Sequence, residues 1–274
     1  MSRIKFCFDE LKAKQEKALI SYITAGDPHL DKTIEIMHTL VDAGTDIIEL
    51  GVPFSDPMAD GPVIQAACER ALLHDTSLAD VLKIVREFRA QNNTTPVVLM
   101  GYQNPFEIYG IDKFALDANG LVDGVITVDL PPEESKDISS VYLANDIDTI
   151  YLLAPTTPGQ RIKTIASLAS GFLYYVSFKG ITGASRLDIN SVENKLAEIR
   201  TITDMPVAVG FGIKDADTAK AVADSADAVV VGSAIVSIIA NHQDNLTSGL
   251  AKINSLLRDI KSALDNAGSI RHTA

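Results

Sequence analysis

The sequence predicts an α/β fold, a single (β/α)8 TIM barrel with additional short helices, on three observations. Short apolar runs of strand-forming residues recur along the 274 residues, separated by stretches with helical spacing of apolar positions. The runs are nearly continuous rather than alternating, as in parallel strands that helices cover on both faces. About eight β-then-α units fill a closed barrel, whereas a doubly wound sheet normally has about five or six strands.

In chain order, the predicted strands are residues 18–25, 46–50, 96–100, 124–128, 149–154, 172–177, 206–210 and 227–231. Helical spacing predicts helices between them at residues 30–43, 78–90, 132–144, 160–169, 192–202 and 215–223. Two further helices are expected to begin near Pro62 and Ser233. An amphipathic helix at residues 246–264 is expected near the end of the chain, with Asp244 or Thr247 as its cap.

No Pro-, Gly- or Ser-rich linker divides the sequence, so residues 1–274 are expected to form one domain with a flexible tail at 268–274. The formal net charge of −12 argues against a nucleic-acid partner, which would need a basic face. The sequence has neither a signal-peptide pattern at residues 1–10 nor an apolar run of the ~18 residues that a membrane helix needs. Cys7 and Cys68 are interpreted as small core residues, and a reducing, cytoplasmic location is expected.

The most unusual predicted loop follows the second strand. In this fold the active site is built from the loops after the strand C-termini. The loop runs from Gly51 to Pro62 and contains three prolines, and with the strand end it holds Glu49, Asp56 and Asp60. An ordinary βα connection has ~2–6 residues, so this longer loop is predicted to be functional. If Glu49 is buried at the mouth of a pocket, its pKa is expected to be raised.

Each of these carboxylates also has a structural interpretation. Glu49 could be satisfied by backbone N–H groups or by a lysine. Asp60 precedes an expected helix start, where Asp is a favoured N-cap. Asp56 precedes Pro57 and fits a turn. Spacing alone leaves these alternatives open.

Glycine-rich segments follow the last three predicted strands. They are Gly180-Ile181-Thr182-Gly183, Gly210-Phe211-Gly212 and Gly232-Ser233-Ala234. Loops at the end of this fold, with the N-terminus of a short helix, commonly bind phosphate, because backbone N–H groups and the helix dipole attract the anion. No single glycine is specific, but the three segments together predict a phosphate site.

Missing motifs narrow the chemistry. The five histidines show no metal-binding spacing, no lysine ends a strand where a Schiff base would form, and no GxSxG or P-loop motif is present. The remaining interpretation is cofactor-free acid–base chemistry on a small phosphorylated substrate. Residues at strand ends are candidates for the walls of its pocket, with core packing as the alternative for each: Tyr22, Met100, Val128, Tyr174 and Phe211.

The segment from Glu49 to Pro62 closely resembles the signature of the tryptophan synthase α-subunit family. The family's order and spacing are also matched by Gly26-Asp27-Pro28, Met100-Gly101-Tyr102-Gln103-Asn104-Pro105, Asp129-Leu130-Pro131-Pro132-Glu133-Glu134 and the three glycine-rich segments. The resemblance covers nearly the whole chain, from about Phe8 to the last helix. It implies a lyase of tryptophan biosynthesis that cleaves indole-3-glycerol phosphate to indole and glyceraldehyde 3-phosphate in a retro-aldol reaction.

The resemblance implies catalytic roles for three residues. Glu49 matches the general acid–base residue, and Asp60 matches the carboxylate that binds the indole N–H. Tyr174 matches the active-site tyrosine, whereas Tyr175 is one residue out of register and would face outward.

Further site positions follow from the same match. Phosphate-binding positions are matched by Gly183, Gly212, Gly232 and Ser233, and Thr182 lies in the loop that closes over the substrate. The remaining substrate-binding candidates are Tyr22, Met100 and Phe211. Two residues depart from the usual pattern, Ile181 where Val is common and Tyr22 where Phe is common.

The resemblance also implies a partner, a pyridoxal-phosphate-dependent β subunit that receives indole through a tunnel in an α2β2 tetramer. No cofactor is expected in this chain, and Asn104-Pro105 and the loop at 53–60 match interface regions. Two alternatives are another phosphate-binding barrel enzyme of sugar-phosphate or indole metabolism, and a non-catalytic activating subunit. The pair of Glu49 and Asp60 argues against the first, and the presence of Tyr174 beside them argues against the second.

Overall fold

Parallel strands form one sheet that curls into a nearly closed barrel, with helices packed around it. The computed structural model describes residues 2–177, 189–210 and 212–269. The strands of this part are β1 (Ala18–Thr24), β2 (Ile47–Gly51), β3 (Val97–Gly101), β4 (Gly124–Thr127), β5 (Asp148–Thr149), β6 (Tyr151–Leu153), β7 (Leu173–Val176), β8 (Val207–Gly210) and β9 (Ala228–Val231). Their order in the sheet is β5-β4-β3-β2-β1-β9-β8-β7-β6.

β5 and β6 together occupy one strand position of the barrel. They are separated only by Ile150, and β5 pairs with β4 whereas β6 pairs with β7. The sequence predicts one continuous strand at residues 149–154, and this prediction is wrong because the strand is interrupted at Ile150. Counting this interrupted strand once, the nine strands fill the eight positions of the predicted TIM barrel.

The described helices are α1 (Arg3–Lys14), α2 (Leu30–Asp42), α3 (Pro62–Leu72), α4 (Leu78–Arg89), α5 (Gln103–Tyr109), α6 (Ile111–Ala118), α7 (Lys136–Ala144), α8 (Gly159–Leu168), α9 (Ile189–Arg200), α10 (Ala216–Ala223), α11 (Ser233–Asn241) and α12 (Leu246–Ser269). None of the helices in this part of the chain is long and apolar enough to cross a lipid bilayer.

Several helices differ from the prediction. α1, α5 and α6 are additional helices, and α7 begins at Lys136 because residues 131–135 form turns instead. α12 extends to Ser269, beyond the predicted end at residue 264. Its cap is Asn245, whose side-chain oxygen accepts the N–H of Ser248 at 3.2 Å, so the prediction of Asp244 or Thr247 is wrong.

Alternation along the strands divides the core into two layers. One face of each strand packs against the surrounding helices, and the other face fills the barrel interior. Ile4, Phe8 and Leu11 of α1 join the interior cluster, with the Phe8 ring 5.8 Å from that of Phe172. α1 therefore covers one end of the barrel, and the loops after the strands lie at the other end.

Candidate active site

Glu49 lies on the interior face of β2. It has the same parity as Ile47, which belongs to the interior cluster, and it stands opposite Tyr22 of β1 and Val98 of β3. The side chain is buried, and its Oε2 atom has no hydrogen-bond partner among the described residues. Within the described part of the chain, no backbone N–H group and no lysine binds this oxygen, as the structural interpretation of Glu49 would require.

Burial controls the protonation of Glu49. It raises the pKa of the Glu49 carboxyl to about 8, with a smaller contribution from the negative charge of Asp60. A carboxyl group with this pKa can hold or release a proton near neutral pH, as a general acid–base group must.

Asp60 lies in the long loop between β2 and α3 and is not the cap of α3. The N-cap position is occupied by Gly61, and no side-chain capping bond is made there. Instead, the Oδ2 atom of Asp60 accepts a hydrogen bond from the hydroxyl of Tyr102 at 3.0 Å. Partial burial raises the pKa of Asp60 above its ordinary value, and the Tyr102 hydrogen bond opposes this shift.

Asp56, the other acidic residue of this loop, has a different environment. It is exposed, and its Oδ2 atom accepts a hydrogen bond from the neighbouring Ser55 hydroxyl at 2.6 Å. This local contact agrees with the interpretation of Asp56 as a turn residue.

Tyr174 projects into the barrel from β7. It belongs to the interior cluster, whereas Tyr175 packs in the layer between barrel and helices. Burial raises the pKa of the Tyr174 hydroxyl well above its ordinary value, and the charges of Glu49 and Asp60 add to this effect. The Tyr174 hydroxyl is therefore neutral at physiological pH and lies in the electrostatic field of both carboxylates.

Tyr22 and Met100 lie together at the same end of the barrel. Both pack in a small apolar cluster with residues of α3 and α11. The Tyr22 hydroxyl is 3.2 Å from Oγ1 of Thr24, and the ring lies against Gly51 and Gly232 at the ends of two neighbouring strands. Close packing around this tyrosine depends on the absence of a side chain at Gly51, whereas a methyl group at Gly232 would meet Tyr22 at an ordinary contact distance.

The described part of the predicted phosphate site consists of Gly212, Gly232 and Ser233. Gly212 follows β8 with φ at +81°, a backbone conformation that favours glycine. Gly232 is the N-cap of α11 and Ser233 its exposed first residue, and no side chain caps this helix. The first N–H groups of α11 are thus available to an anion. Thr182, Gly183 and Phe211 lie outside the described residues.

Two polar residues that shape the acidic loop received no role from the sequence. Tyr102 contacts Asp60, and the side-chain amide of Gln65 donates to the carbonyl oxygens of Asp60 at 2.9 Å and Pro57 at 3.3 Å. Tyr102 directly follows β3, so the strand-end rule that singled out Glu49 could also have found it. Gln65 lies inside α3, and no local signal marks it.

The site as a whole defines a class of protein. At the mouth of a parallel barrel, a buried carboxyl with a pKa of about 8 lies near a second carboxylate and a neutral tyrosine. Among the described residues, no group of three or more His, Cys, Asp or Glu side chains could hold a metal ion. The arrangement is that of a barrel enzyme that performs acid–base chemistry on an anionic substrate.

Comparison with known proteins gives the family. The model of the family described as tryptophan synthase alpha chain matches residues 8–265, and the chain belongs to this family. It is 57% identical over 266 residues to the tryptophan synthase alpha chain of Thioalkalivibrio sulfidiphilus, covering 97% of this chain and 100% of that one. The alpha chain of Thiobacillus denitrificans is 56% identical over 268 residues, with 97% of each chain covered.

Solved structures agree with the sequence comparison. The crystal structure of tryptophan synthase subunit alpha from Legionella pneumophila str. Paris has a TM-score of 0.90 and 43% sequence identity, covering 97% of this chain and 99% of that one. The family resemblance and the TIM-barrel fold predicted from the sequence are therefore confirmed. The chain is a lyase of tryptophan biosynthesis, and cleavage of indole-3-glycerol phosphate is the reaction of this family.

Proposed function

We propose that this chain cleaves indole-3-glycerol phosphate to indole and glyceraldehyde 3-phosphate with Glu49 as general acid–base and Asp60 as electrostatic partner. The observation that carries the proposal is the buried, unpartnered Oε2 atom of Glu49, whose carboxyl has a pKa of about 8. A group that is protonated near neutral pH, and that has an oxygen without a partner among the described residues, is suited to give its proton to a substrate.

The reaction begins with proton transfer from Glu49 to carbon 3 of the indole ring. The ring becomes a positively charged indolenine, and the carboxylate of Asp60 accepts the ring N–H and stabilises this charge. Glu49, now ionised, takes the proton of the hydroxyl on the adjacent side-chain carbon. The carbon–carbon bond breaks, its electron pair neutralises the indolenine, and indole and the aldehyde are released.

Other residues bind the two ends of the substrate. Tyr174 lies beside the reacting centre, and Tyr22 and Met100 contact the indole side, where Phe211 also belongs in this proposal. The phosphate is bound by backbone N–H groups around Gly212, Gly232 and Ser233, together with Gly183. Thr182 is placed in the loop that closes over the substrate and excludes water.

Indole release tests the two carboxylates. The purified chain is incubated with indole-3-glycerol phosphate, alone and with a tryptophan synthase β chain, and indole is measured by absorbance or chromatography. We expect Glu49→Gln to lower kcat by at least ~10², because the amide cannot transfer the proton. Asp60→Asn is expected to lower kcat/KM while the protein stays folded, since it removes a charge that stabilises the ring cation.

The outcomes separate the lyase from its alternatives. Equal rates of indole release for Glu49→Gln and the unchanged chain would show that Glu49 is not the general acid–base residue. If no indole is released even with a β chain, the proposed lyase activity is wrong. The alternatives would then be a non-catalytic subunit or another phosphate-binding barrel enzyme.

We also propose that the chain assembles with a tryptophan synthase β subunit into an α2β2 tetramer. Two large apolar side chains near the site support this proposal, since Met58 is 86% exposed and Ile108 is 81% exposed. Met58 lies in the acidic loop, and Ile108 lies on α5, whose N-cap residue Tyr102 contacts that loop. Contiguous apolar patches mark surfaces that a partner covers, and we propose that Met58 and Ile108 belong to such a patch.

Pyridoxal phosphate is assigned to the β subunit, and this chain is proposed to work without a cofactor of its own. A cytoplasmic location is proposed because the reaction belongs to amino-acid biosynthesis and because Cys7 and Cys68 are both free thiols.

A further inference from the structure

We infer that Tyr102 is a positioning residue, whose hydroxyl holds the carboxylate of Asp60 and the backbone of the acidic loop in the arrangement that the reaction needs. The inference rests on the proposed role of Asp60 and adds a second residue to it.

The hydroxyl of Tyr102 makes two hydrogen bonds to adjacent residues of the loop. It accepts the backbone N–H of Ala59 at 3.0 Å, and its own proton goes to Oδ2 of Asp60, also at 3.0 Å. Because the Ala59 N–H can only donate and an ionised carboxylate can only accept, the direction of both bonds is fixed. The hydroxyl proton therefore points at Asp60, and Oδ1 is the oxygen assigned to the indole N–H.

Packing holds the Tyr102 ring in place. The side chain is buried, and its ring stacks on that of Phe54 with centroids 5.2 Å apart and an interplanar angle of 29°. Phe54 lies at the start of the same loop. Tyr102 thus contacts the loop at both its beginning and its end. A phenylalanine would keep the ring contact at the beginning and would lose the two hydrogen bonds at the end.

The hydrogen bond also affects the charge of Asp60. Burial raises the pKa of this carboxyl, and the Tyr102 hydroxyl lowers it by stabilising the ionised form. Burial and the nearby Asp60 charge raise the pKa of Tyr102 itself, so this residue remains a donor. Among the described residues, the titratable groups that interact with Asp60 from the surrounding elements are Glu49 of β2, Tyr22 of β1, Cys68 of α3, Tyr174 of β7 and Tyr102.

The test compares Tyr102→Phe with Tyr109→Phe. Tyr109, at the other end of α5, donates its hydroxyl to Asp117 at 2.7 Å, so each variant removes one hydroxyl that is bonded to an aspartate. Tyr102→Phe keeps the ring that stacks on Phe54. Circular dichroism and thermal melting establish that both variants are folded.

Kinetics on indole-3-glycerol phosphate give the first readout. We expect Tyr102→Phe to lower kcat/KM about tenfold to a hundredfold, as the loss of a hydrogen bond to a charged group does, and Tyr109→Phe to change it less than twofold. The acid limb of the kcat/KM profile should move to higher pH in Tyr102→Phe only, because Asp60 loses the bond that favours its ionised form.

A second readout does not depend on activity. Carbon-13 NMR of labelled aspartate side chains measures the pKa of Asp60 in the full chain, in a Glu49→Gln background so that the two carboxyls do not titrate together. Tyr102→Phe should raise this pKa, and Tyr109→Phe should leave it unchanged.

The outcomes distinguish this inference from the proposed function. If Asp60→Asn keeps the full rate, the role of Asp60 is wrong. If Asp60→Asn loses activity but Tyr102→Phe matches Tyr109→Phe in rate and in the pKa of Asp60, the positioning role of Tyr102 is overturned. An equal loss of activity in both tyrosine variants would also overturn it, because the effect would then be structural.

Discussion

Glu49 combines a catalytic requirement with a cost in stability. Its carboxyl is buried among apolar residues of the barrel interior, and burial is the main reason that its pKa is raised from an ordinary 4.5 to about 8. The folded chain therefore holds a proton between these two pH values that the unfolded chain has already lost. Stability contributed by this group is full at low pH and falls as the pH rises toward 8.

The substitution Glu49→Gln should remove this pH dependence. An amide of the same shape does not ionise, so we expect the variant to gain stability relative to the unchanged chain as the pH rises. The gain between pH 5 and pH 8 should be roughly 3 kcal/mol, from about 1.4 kcal/mol per pH unit. Urea unfolding of both proteins at pH 5, 6.5 and 8 measures it. A stability difference that is the same at all three pH values would contradict a raised pKa at Glu49.

At the scale of elements, glycines at the ends of neighbouring strands make room for the site tyrosines. A methyl group on Gly51 of β2 would overlap the hydroxyl of Tyr22, and one on Gly210 of β8 would overlap the ring and hydroxyl of Tyr174. Strands in a sheet are only ~4.8 Å apart, so a tyrosine that leans over the next strand needs a position without a side chain. Glycine is required at both positions because a tyrosine side chain approaches the backbone closely. Backbone conformation is not the reason, since neither glycine has a positive φ.

Gly210→Ala should therefore displace Tyr174. We expect a loss of stability of about 1–3 kcal/mol from overpacking and a lower kcat for indole release, with the larger effect on kcat. Gly159→Ala is the matched control, because the added methyl meets only the side chains of Glu198 and Ile202 at 3.3 Å or more at the start of α8. Thermal unfolding and steady-state kinetics compare the two variants. Normal activity in Gly210→Ala would show that Tyr174 need not keep its position.

At the scale of the whole molecule, one end of the barrel carries the candidate active site and the other end carries stabilising contacts. The catalytic groups lie where the strands end. Near the strand beginnings, Asp123 binds the guanidinium groups of Arg3 and Arg89 at 2.9 and 2.6 Å. The separation is expected for this fold, in which the loops after the strands carry activity and the opposite end carries stability.

An acidic chain with net charge −12 can still bind a phosphate, because the proposed ligands are backbone N–H groups at the start of α11.

The surface near the site should control assembly with the β subunit. We expect Ile108→Asp to weaken association with a tryptophan synthase β chain at least tenfold, because it places a charge on the apolar surface that the partner is proposed to cover. Leu143→Asp is the control, since Leu143 is 65% exposed near the end of α7, just before β5 begins. Calorimetric titration or analytical ultracentrifugation measures the affinity. Equal affinities for both variants would argue against the surface around Ile108.

How much of the site could be predicted depended on whether its signal was local. The apolar runs located the strands, and the resemblance together with alternation along β7 correctly placed Tyr174 inside the barrel and Tyr175 outside it, whereas spacing left the orientation of Glu49 open. α1 was not predicted, although Ile4, Phe8 and Leu11 have helical spacing, and its place against the barrel interior follows from no local pattern. The assignment of residues 1–274 to a single domain and the roles of the site residues remain predictions.

The sequence by itself determined the barrel class, the positions of the strand ends and the resemblance to the family, because periodicity and motif spacing are local properties of the chain. Only the tertiary structure decided the protonation of Glu49 and the hydrogen-bond partner of the Asp60 carboxylate. The raised pKa of Glu49 comes from burial among strands that the barrel brings together. The carboxylate of Asp60 is hydrogen-bonded to Tyr102, a residue 42 positions away, and does not cap α3. Burial and long-range hydrogen bonds depend on how the strands pair in the barrel, and no window of the sequence contains that information.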